Sequence, residues 1–374
     1  MRFILLLIYL PLLTAPVFAQ TTFHKKWAGS LIFDACPLET GGVLLAGYNS
    51  PRNSLAVRLD DAGAIIWSKS YAPMHDICNV LEVPDGYIIA GDSLVPDGPN
   101  DNARYTIIAK LSPTGEVIWS QALGGFNLDI RSKQLTATSS GFIFSGTQQL
   151  VSFPSRIEPL IIRFDYDGDV QWSKTYTTEF NTFNGELYAQ HVEGDTLFAC
   201  GDIHGNACFI RLNYHSGELM EWRTFGGPFV ENLSSMFQLN DGNYLMAGST
   251  RSTTFSEADR CWIVNTDRHG QMRWSKVFNI SGMNQRAWLT KSNDGNFVFS
   301  AGRGYNNGSS SIPILCKISP EGQPIWAYDY SGGTPFSLNQ LSSTADGGLL
   351  AVNYNTLLKT DAEGRVLNGC CPAP

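Results

Sequence analysis

Asp60-Asp-Ala-Gly-Ala-Ile-Ile-Trp67 decides the fold: a tight turn with glycine, a short apolar run, then tryptophan. The phrase returns from Ser112 to Trp119, Asp165 to Trp172, Tyr214 to Trp222, Asp267 to Trp274 and Ser319 to Trp326. A seventh copy, Asp361 to Asn368, has Asn where Trp stood. Successive tryptophans are 52, 53, 50, 52 and 52 residues apart. A second phrase lies between these marks, a turn followed by an apolar run ending in small residues. It reads Gly41-Gly-Val-Leu-Leu-Ala-Gly47 and Asp85-Gly-Tyr-Ile-Ile-Ala-Gly91, and recurs before Gly146, Gly201, Gly248, Gly302 and Val352. Each period therefore holds four strand-like runs joined by Gly turns, which accept φ > 0. No stretch sustains a helical period.

A four-stranded unit repeated about every 50 residues is the signature of a propeller blade. Seven such units take up nearly all of the residues after the leader described below. The expected fold is all-β, a single seven-bladed β-propeller of four-stranded antiparallel blades over residues 20–374, with a short Cys-containing tail. Residues 21–28 are expected to close the last blade. The indoles of Trp67, Trp119, Trp172, Trp222, Trp274 and Trp326 are expected to wedge between blades, each burying roughly 150–250 Å². The Ala-Gly ends are expected where blades converge.

Composition narrows the function. Of 374 residues, 16% are charged and the net charge is −8. An acidic chain without a Lys/Arg run makes nucleic acid and anionic membranes poor partners. Arg2, the apolar run from Phe3 to Leu13 and the small residues Val17 and Ala19 read as a signal peptide over residues 1–19, cleaved before Gln20. The apolar run is too short to span a membrane, and no second one follows. The product is expected outside the cytoplasm, secreted or periplasmic, or at the cell surface. Eight cysteines permit disulfides there but give no zinc spacing. Most sit in apolar runs as small buried side chains. Cys200 and Cys208 flank a turn where they can face one another, and Cys370-Cys371 is a vicinal pair.

The two phrases, together with Trp-Ser-Lys-x-Tyr at Trp67–Tyr71 and Trp172–Tyr176, resemble the repeat propellers of exported and cell-surface proteins of Gram-negative bacteria. The resemblance covers nearly all of the chain after the leader and implies a fold and an export route more than an activity. Many such proteins end in a sorting domain for type nine secretion; this sequence ends at Pro374 without one, which leaves the periplasm open. The Gly-to-Trp spacing is distantly similar to the tryptophan-docking repeats of quinoprotein-like propellers. Those enzymes often carry a vicinal disulfide beside the quinone and a calcium held by Glu, Asn and Asp, ligands that do not map onto this chain.

No HExxH, GxSxG or GxxxxGK[ST] motif occurs, and the six His residues are scattered. Asp165-Tyr-Asp167-Gly-Asp169 resembles part of a calcium loop without its distal Glu; no other cofactor is expected. Long second-to-third-strand loops at 93–104, 147–158, 250–260 and 303–313 would share one face with the first-strand starts, opposite the short Gly turns. His75, Asp76, Asp129, Arg131, Glu231 and Arg286 fall near that face and the channel. The leading expectation is a non-enzymatic binding or scaffold propeller, a monomer or part of a larger envelope complex, holding a protein or glycan there. The alternative is a hydrolase or lyase acting on polysaccharide or a small polar substrate through carboxylates at the channel mouth.

Overall fold

The computed structural model describes residues 21–27, 29–96, 102–125, 128–150, 156–176, 185–252, 260–281, 287–304, 311–330, 340–353 and 355–366. The leader expected at 1–19 and the pair Cys370-Cys371 lie outside them. The described residues form seven four-stranded antiparallel sheets. Blades 1 to 6 are each contiguous in sequence, over 30–69, 79–123, 128–175, 185–225, 231–281 and 289–329. Blade 7 takes three strands from 340–360 and its outermost from the start of the chain, where Phe23–Lys26 pairs with Thr356–Thr360. The protein is thus a seven-bladed β-propeller, closed by the N-terminal strand as the sequence suggested.

First strands touch first strands in succession around the ring, and the last touches the first, so they lie nearest the axis. Among the described residues seven apolar clusters form, each drawn from two neighbouring blades. The second strands explain why the apolar phrase does not alternate. Leu44 and Ala46 face blade 2 while Val43 and Leu45 face blade 7, so both surfaces of the strand are dry.

The Ala-Gly ends act within a blade rather than where blades converge. A Cβ on Gly47 would stand 1.9 Å from the carbonyl oxygen of Leu31, in the same blade's first strand. A bulge between Ile32 and Asp34 brings that carbonyl close, and only glycine leaves room.

Five of the six tryptophans dock as expected. Trp67, Trp119, Trp172, Trp274 and Trp326 each lie against the turn glycine of the following blade: Gly115, Gly168, Gly217, Gly322 and Gly364. Three also donate their indole N–H to that turn: Trp67 to Pro113 O (3.2 Å), Trp119 to Tyr166 O (3.2 Å) and Trp172 to Tyr214 O (2.9 Å). The tyrosine four residues on completes a clamp in blades 1, 3 and 6. Tyr71, Tyr176 and Tyr330 donate to the carbonyls of Gly115, Gly217 and Gly364.

Trp222 departs from this pattern. Its phrase holds one extra residue between glycine and tryptophan. Where Trp172 pairs with Arg163 in the ladder, the residue paired with Arg211 is Glu221, and Trp222 pairs with Ile210. A one-residue slip turns a side chain to the other face of the strand, and Trp222 is 40% exposed. The glycine it would have met, Gly270, faces Phe209 and Arg223 instead.

Candidate functional site

Antiparallel order places the blade-to-blade crossovers and second-to-third-strand connections on one face, and the short Gly turns on the other. On the connection face the blades differ in height. Much of the expected loops at 93–104 and 147–158 is strand. In blade 2 the hairpin stays paired up to Pro96↔Asn102, and in blade 3 up to Leu150↔Arg156. Blade 3's first strand climbs with it, Leu128 pairing with Leu150. Blade 4 instead turns back at once after Ile203↔Asn206, through His204 and Gly205, both at positive φ. Counted from the glycine common to each second strand, blades 2 and 3 rise two to three residues higher, about 7–10 Å at the usual strand rise. In the expected loops 250–260 and 303–313, residues 253–259 and 305–310 lie outside the described residues.

The sequence-chosen residues sort by this relief. His75 and Asp76 lie at the foot of the blade 2 hairpin; His75 N–H donates to Asp92 O (2.9 Å) and Asp76 Oδ1 accepts Asp92 N–H (3.2 Å). Asp129 and Arg131 lie on blade 3's first strand, paired with Gln149 and Thr147, and Arg131 is exposed. Glu231 lies inside the protein, fully buried. Its carboxylate accepts Gly227 N–H (3.2 Å), the Thr250 hydroxyl (3.1 Å) and the Ser252 hydroxyl, tying the crossover between blades 4 and 5 to the top of blade 5. Arg286 lies outside the described residues.

Three charged or polar groups that the sequence reading did not single out join them. Lys133 Nζ of blade 3 meets Glu186 Oε1 of blade 4 (3.0 Å) and stands over the ring of Tyr188, whose hydroxyl donates to Glu186. Lys133, Glu186 and Tyr188 therefore join the first strands of blades 3 and 4, with Arg131 on the same strand as Lys133, and Asn79 of blade 2 donates to Lys133 O (3.1 Å). Lys133 and Tyr188 are the extra residues at the bulges of their first strands, visible only once the bulges are placed, while Glu186 is a regular ladder residue paired with Asp202.

Beneath this mouth the first strands are laced by side chains. Gln340 Oε1 accepts Ala35 N–H (2.6 Å), Asp34 Oδ2 accepts Val80 N–H (2.8 Å) and Ser235 Oγ accepts Leu289 N–H (3.0 Å), each bond crossing to the next blade. Burial pushes the Asp34 carboxyl up to about 6, against the pull of the Val80 and Ala35 amides and the Gln340 and Asn79 side chains.

Among the described residues one grouping is tight enough to suggest metal ligation, Asp76, Cys78 and Asp92, with ligand atoms within 4.8 Å of one another. Burial, with Asp92 and Asp76 nearby, pushes the Cys78 thiol well above its ordinary range. Asp165, Asp167 and Asp169 form no such group. Asp165 Oδ1 accepts the amides of Asp167 (3.0 Å) and Asp169 (2.9 Å), so its carboxylate closes its own turn. Cys36, Cys78, Cys200, Cys208, Cys261 and Cys316 are free. Cys200 and Cys208 do not face one another. The ladder pairs Cys208 with Gly201, and the two thiols enter the apolar clusters on opposite faces of blade 4.

Solved structures similar to this chain are propellers. Sqt1 from Chaetomium thermophilum superposes with a TM-score of 0.55 at 11% identity, over 92% of this chain and 99% of that one. The Pan2 WD40 domain of Neurospora crassa gives 0.55 at 8%, over 96% and 99%. The Dos1 propeller gives 0.50 at 13%, over 88% and 78%. At these identities the likeness shows the fold alone. No family model matches the sequence, and no curated protein is similar to it.

Proposed function

We propose that this chain is an exported, non-enzymatic binding or scaffold propeller that presents its connection face to a protein or glycan partner. One observation carries the reading: the two faces are built for different purposes. The turn face repeats one tryptophan-on-glycine interlock at five blade boundaries, whereas the connection face is uneven, with a raised ridge on blades 2 and 3. At the foot of that ridge stand Asp76, Arg131, Lys133 and Glu186, a mixed-charge mouth suited to polar recognition. Binding proteins place variable segments on a rigid frame in this way. The leader-like start supports secretion or a periplasmic location, and the acidic composition argues against nucleic acid. A monomer, or one part of a larger envelope complex, fits a ring whose blades are all paired.

Photo-crosslinking from position 129 in the native host tests the reading. A discrete protein or glycan adduct is expected, and Arg131→Glu should weaken it about tenfold. Adduct formation indifferent to Arg131→Glu and Lys133→Glu would remove the connection face from consideration. The approach of Asp76 to Asp92 favours one rival, a hydrolase or lyase using that carboxylate pair on a polysaccharide or small polar substrate. Turnover of a glycan panel that disappears in Asp76→Asn would establish the rival.

A further inference from the structure

The turn face carries a slot that three blades fill and one leaves open. Third-strand residues paired with the docking aromatic are cationic in most blades. Lys110, Lys317 and Lys359 sit at this position, nearly fully buried along their stems. Each ammonium meets the aspartate of its own blade's first turn: Lys110 with Asp85 (2.9 Å), Lys317 with Asp294 (2.8 Å) and Lys359 with Asp346 (2.7 Å).

Blade 5 has the carboxylate without the lysine. Asp241 is held as Asp294 is. Asp241 Oδ1 accepts Asn243 N–H (3.1 Å) and Oδ2 accepts Asn243 Nδ2 (2.5 Å). In blade 6, Asp294 Oδ1 accepts Asn296 N–H (3.1 Å) and Oδ2 accepts Asn296 Nδ2 (2.9 Å), with Lys317 on the same Oδ2. The residue paired with Trp274 is Asn265, buried and donating to Tyr244 O (3.1 Å). Its side chain reaches two atoms less far than lysine. A cavity of roughly 370 Å³ occupies this place between blades 5 and 6, bordered by Asp241, Asn265, Trp274, Phe297 and Glu321. Arg273 and Lys291 also border it without filling the slot. Lys291 Nζ reaches Asn240 Oδ1 (3.4 Å), and Arg273 is exposed on the outer strand.

We infer that this cavity binds a primary alkylammonium group, its nitrogen at Asp241 and its apolar stem between Trp274 and Phe297. The three filled slots define the chemistry: an unbranched stem carrying one ammonium to one carboxylate oxygen. Arginine at the same position does not repeat that bond. Arg58 and Arg163 face first turns that hold no aspartate and reach Gly41 O and Ser140 Oγ, and Arg211 meets Glu221 (2.8 Å) while the turn's Asp195 meets His215. Aromatic walls favour a cation on an apolar stem, and Glu321 adds a second carboxylate. Such a group arrives either as a small free amine or as a lysine side chain of a partner protein.

The test follows the Trp274 indole N–H by ¹H–¹⁵N NMR while the full protein is titrated with n-butylammonium, Nα-acetyl-lysine N-methylamide or n-butanol. Saturable shifts with Kd on the order of 1 mM are expected for the amine, an exposed ion pair being weak. Asp241→Asn should weaken it about tenfold. Asn265→Lys should abolish it and raise Tm, because the chain then supplies its own ammonium. Binding of butylammonium alone identifies free amines as the ligand, and binding of the acetyl-lysine amide as well identifies a partner's lysine. Equal binding of n-butanol, or undiminished amine binding by Asn265→Lys, would overturn the inference.

Discussion

Two adjacent interfaces solve one packing problem by different means. Between blades 3 and 4, Trp172 lies on Gly217, donates to Tyr214 O and is joined by the Tyr176 hydroxyl on the Gly217 carbonyl. Between blades 4 and 5, Glu221 holds the indole's ladder position, and Phe225, four residues on, has no hydroxyl to give. Ions take over: Glu221 accepts from Arg211 (2.8 Å), Arg223 (2.9 Å) and His269 of the next blade (3.1 Å). An aromatic lock draws on buried area, which salt and mild acid barely alter. An exposed ionic lock responds to both. One inserted residue thus changes what an interface is sensitive to while leaving the ring intact.

The largest expected effect breaks the comparison directly. Trp172→Ala should cost about 3–5 kcal/mol, the usual range for removing a packed aromatic. Trp222→Ala should cost less than about 1 kcal/mol, as befits a surface position. Denaturant melts of the two variants measure the gap, and equal losses would mean that Trp222 is docked after all.

Acidity separates the outer lock from the axis. Asp34, raised by burial to about 6, favours the folded state when protonated. Its stabilisation is complete below the unfolded value near 4 and is lost as pH rises through 6, about 2–3 kcal/mol in all. In Asp34→Asn the stability curve between pH 4 and 6 should lose that downward slope relative to the parent. Glu221 runs the other way. Burial pushes its carboxyl up, but hydrogen bonds from His269, Arg211 and Arg223 outweigh this and hold it below the ordinary range. Its contribution is present above the unfolded value and fades as pH falls.

Tyr176→Phe sharpens the aromatic side, since it strips the hydroxyl and leaves the Gly217 carbonyl unpaired. A loss of about 1 kcal/mol is expected, seen as a lower midpoint with an unchanged m-value. The smallest effect belongs to Glu221→Gln. Hydrogen exchange along Leu219–Phe225 should accelerate a few-fold, and added salt should produce the same change in the parent protein. Amides of Val170–Thr175 should remain indifferent to salt.

The ring was legible because its period, its turn glycines and its indoles are local signals that tertiary packing reinforces. The site was less so. Glu231 looks in sequence like a rim charge, but a carboxylate's burial depends on which crossover folds over it, here Gly226–Gly227 with Ser252. Lys133 and Glu186 are separated by a whole blade, and their meeting follows from bulges that a pattern of alternation does not display. Trp222 had a visible warning in its longer Gly-to-Trp spacing, whose meaning appears only when ladder partners are counted. The height of blades 2 and 3 was hidden for a related reason, since polar, proline-containing stretches read as loops while their backbones remain paired.

Closure by Phe23–Lys26 has a temporal consequence. Phe23–Lys26 must wait for a partner made some seven blades later, because that strand ends at Thr360. A chain delivered amino end first therefore holds an unpaired strand throughout its passage, and six completed sectors still leave one circumference edge bare. The clasp joins blade 7 to blade 1 through the segment between Lys26 and Ser30: cleavage there would cut no strand and yet unfasten the circle.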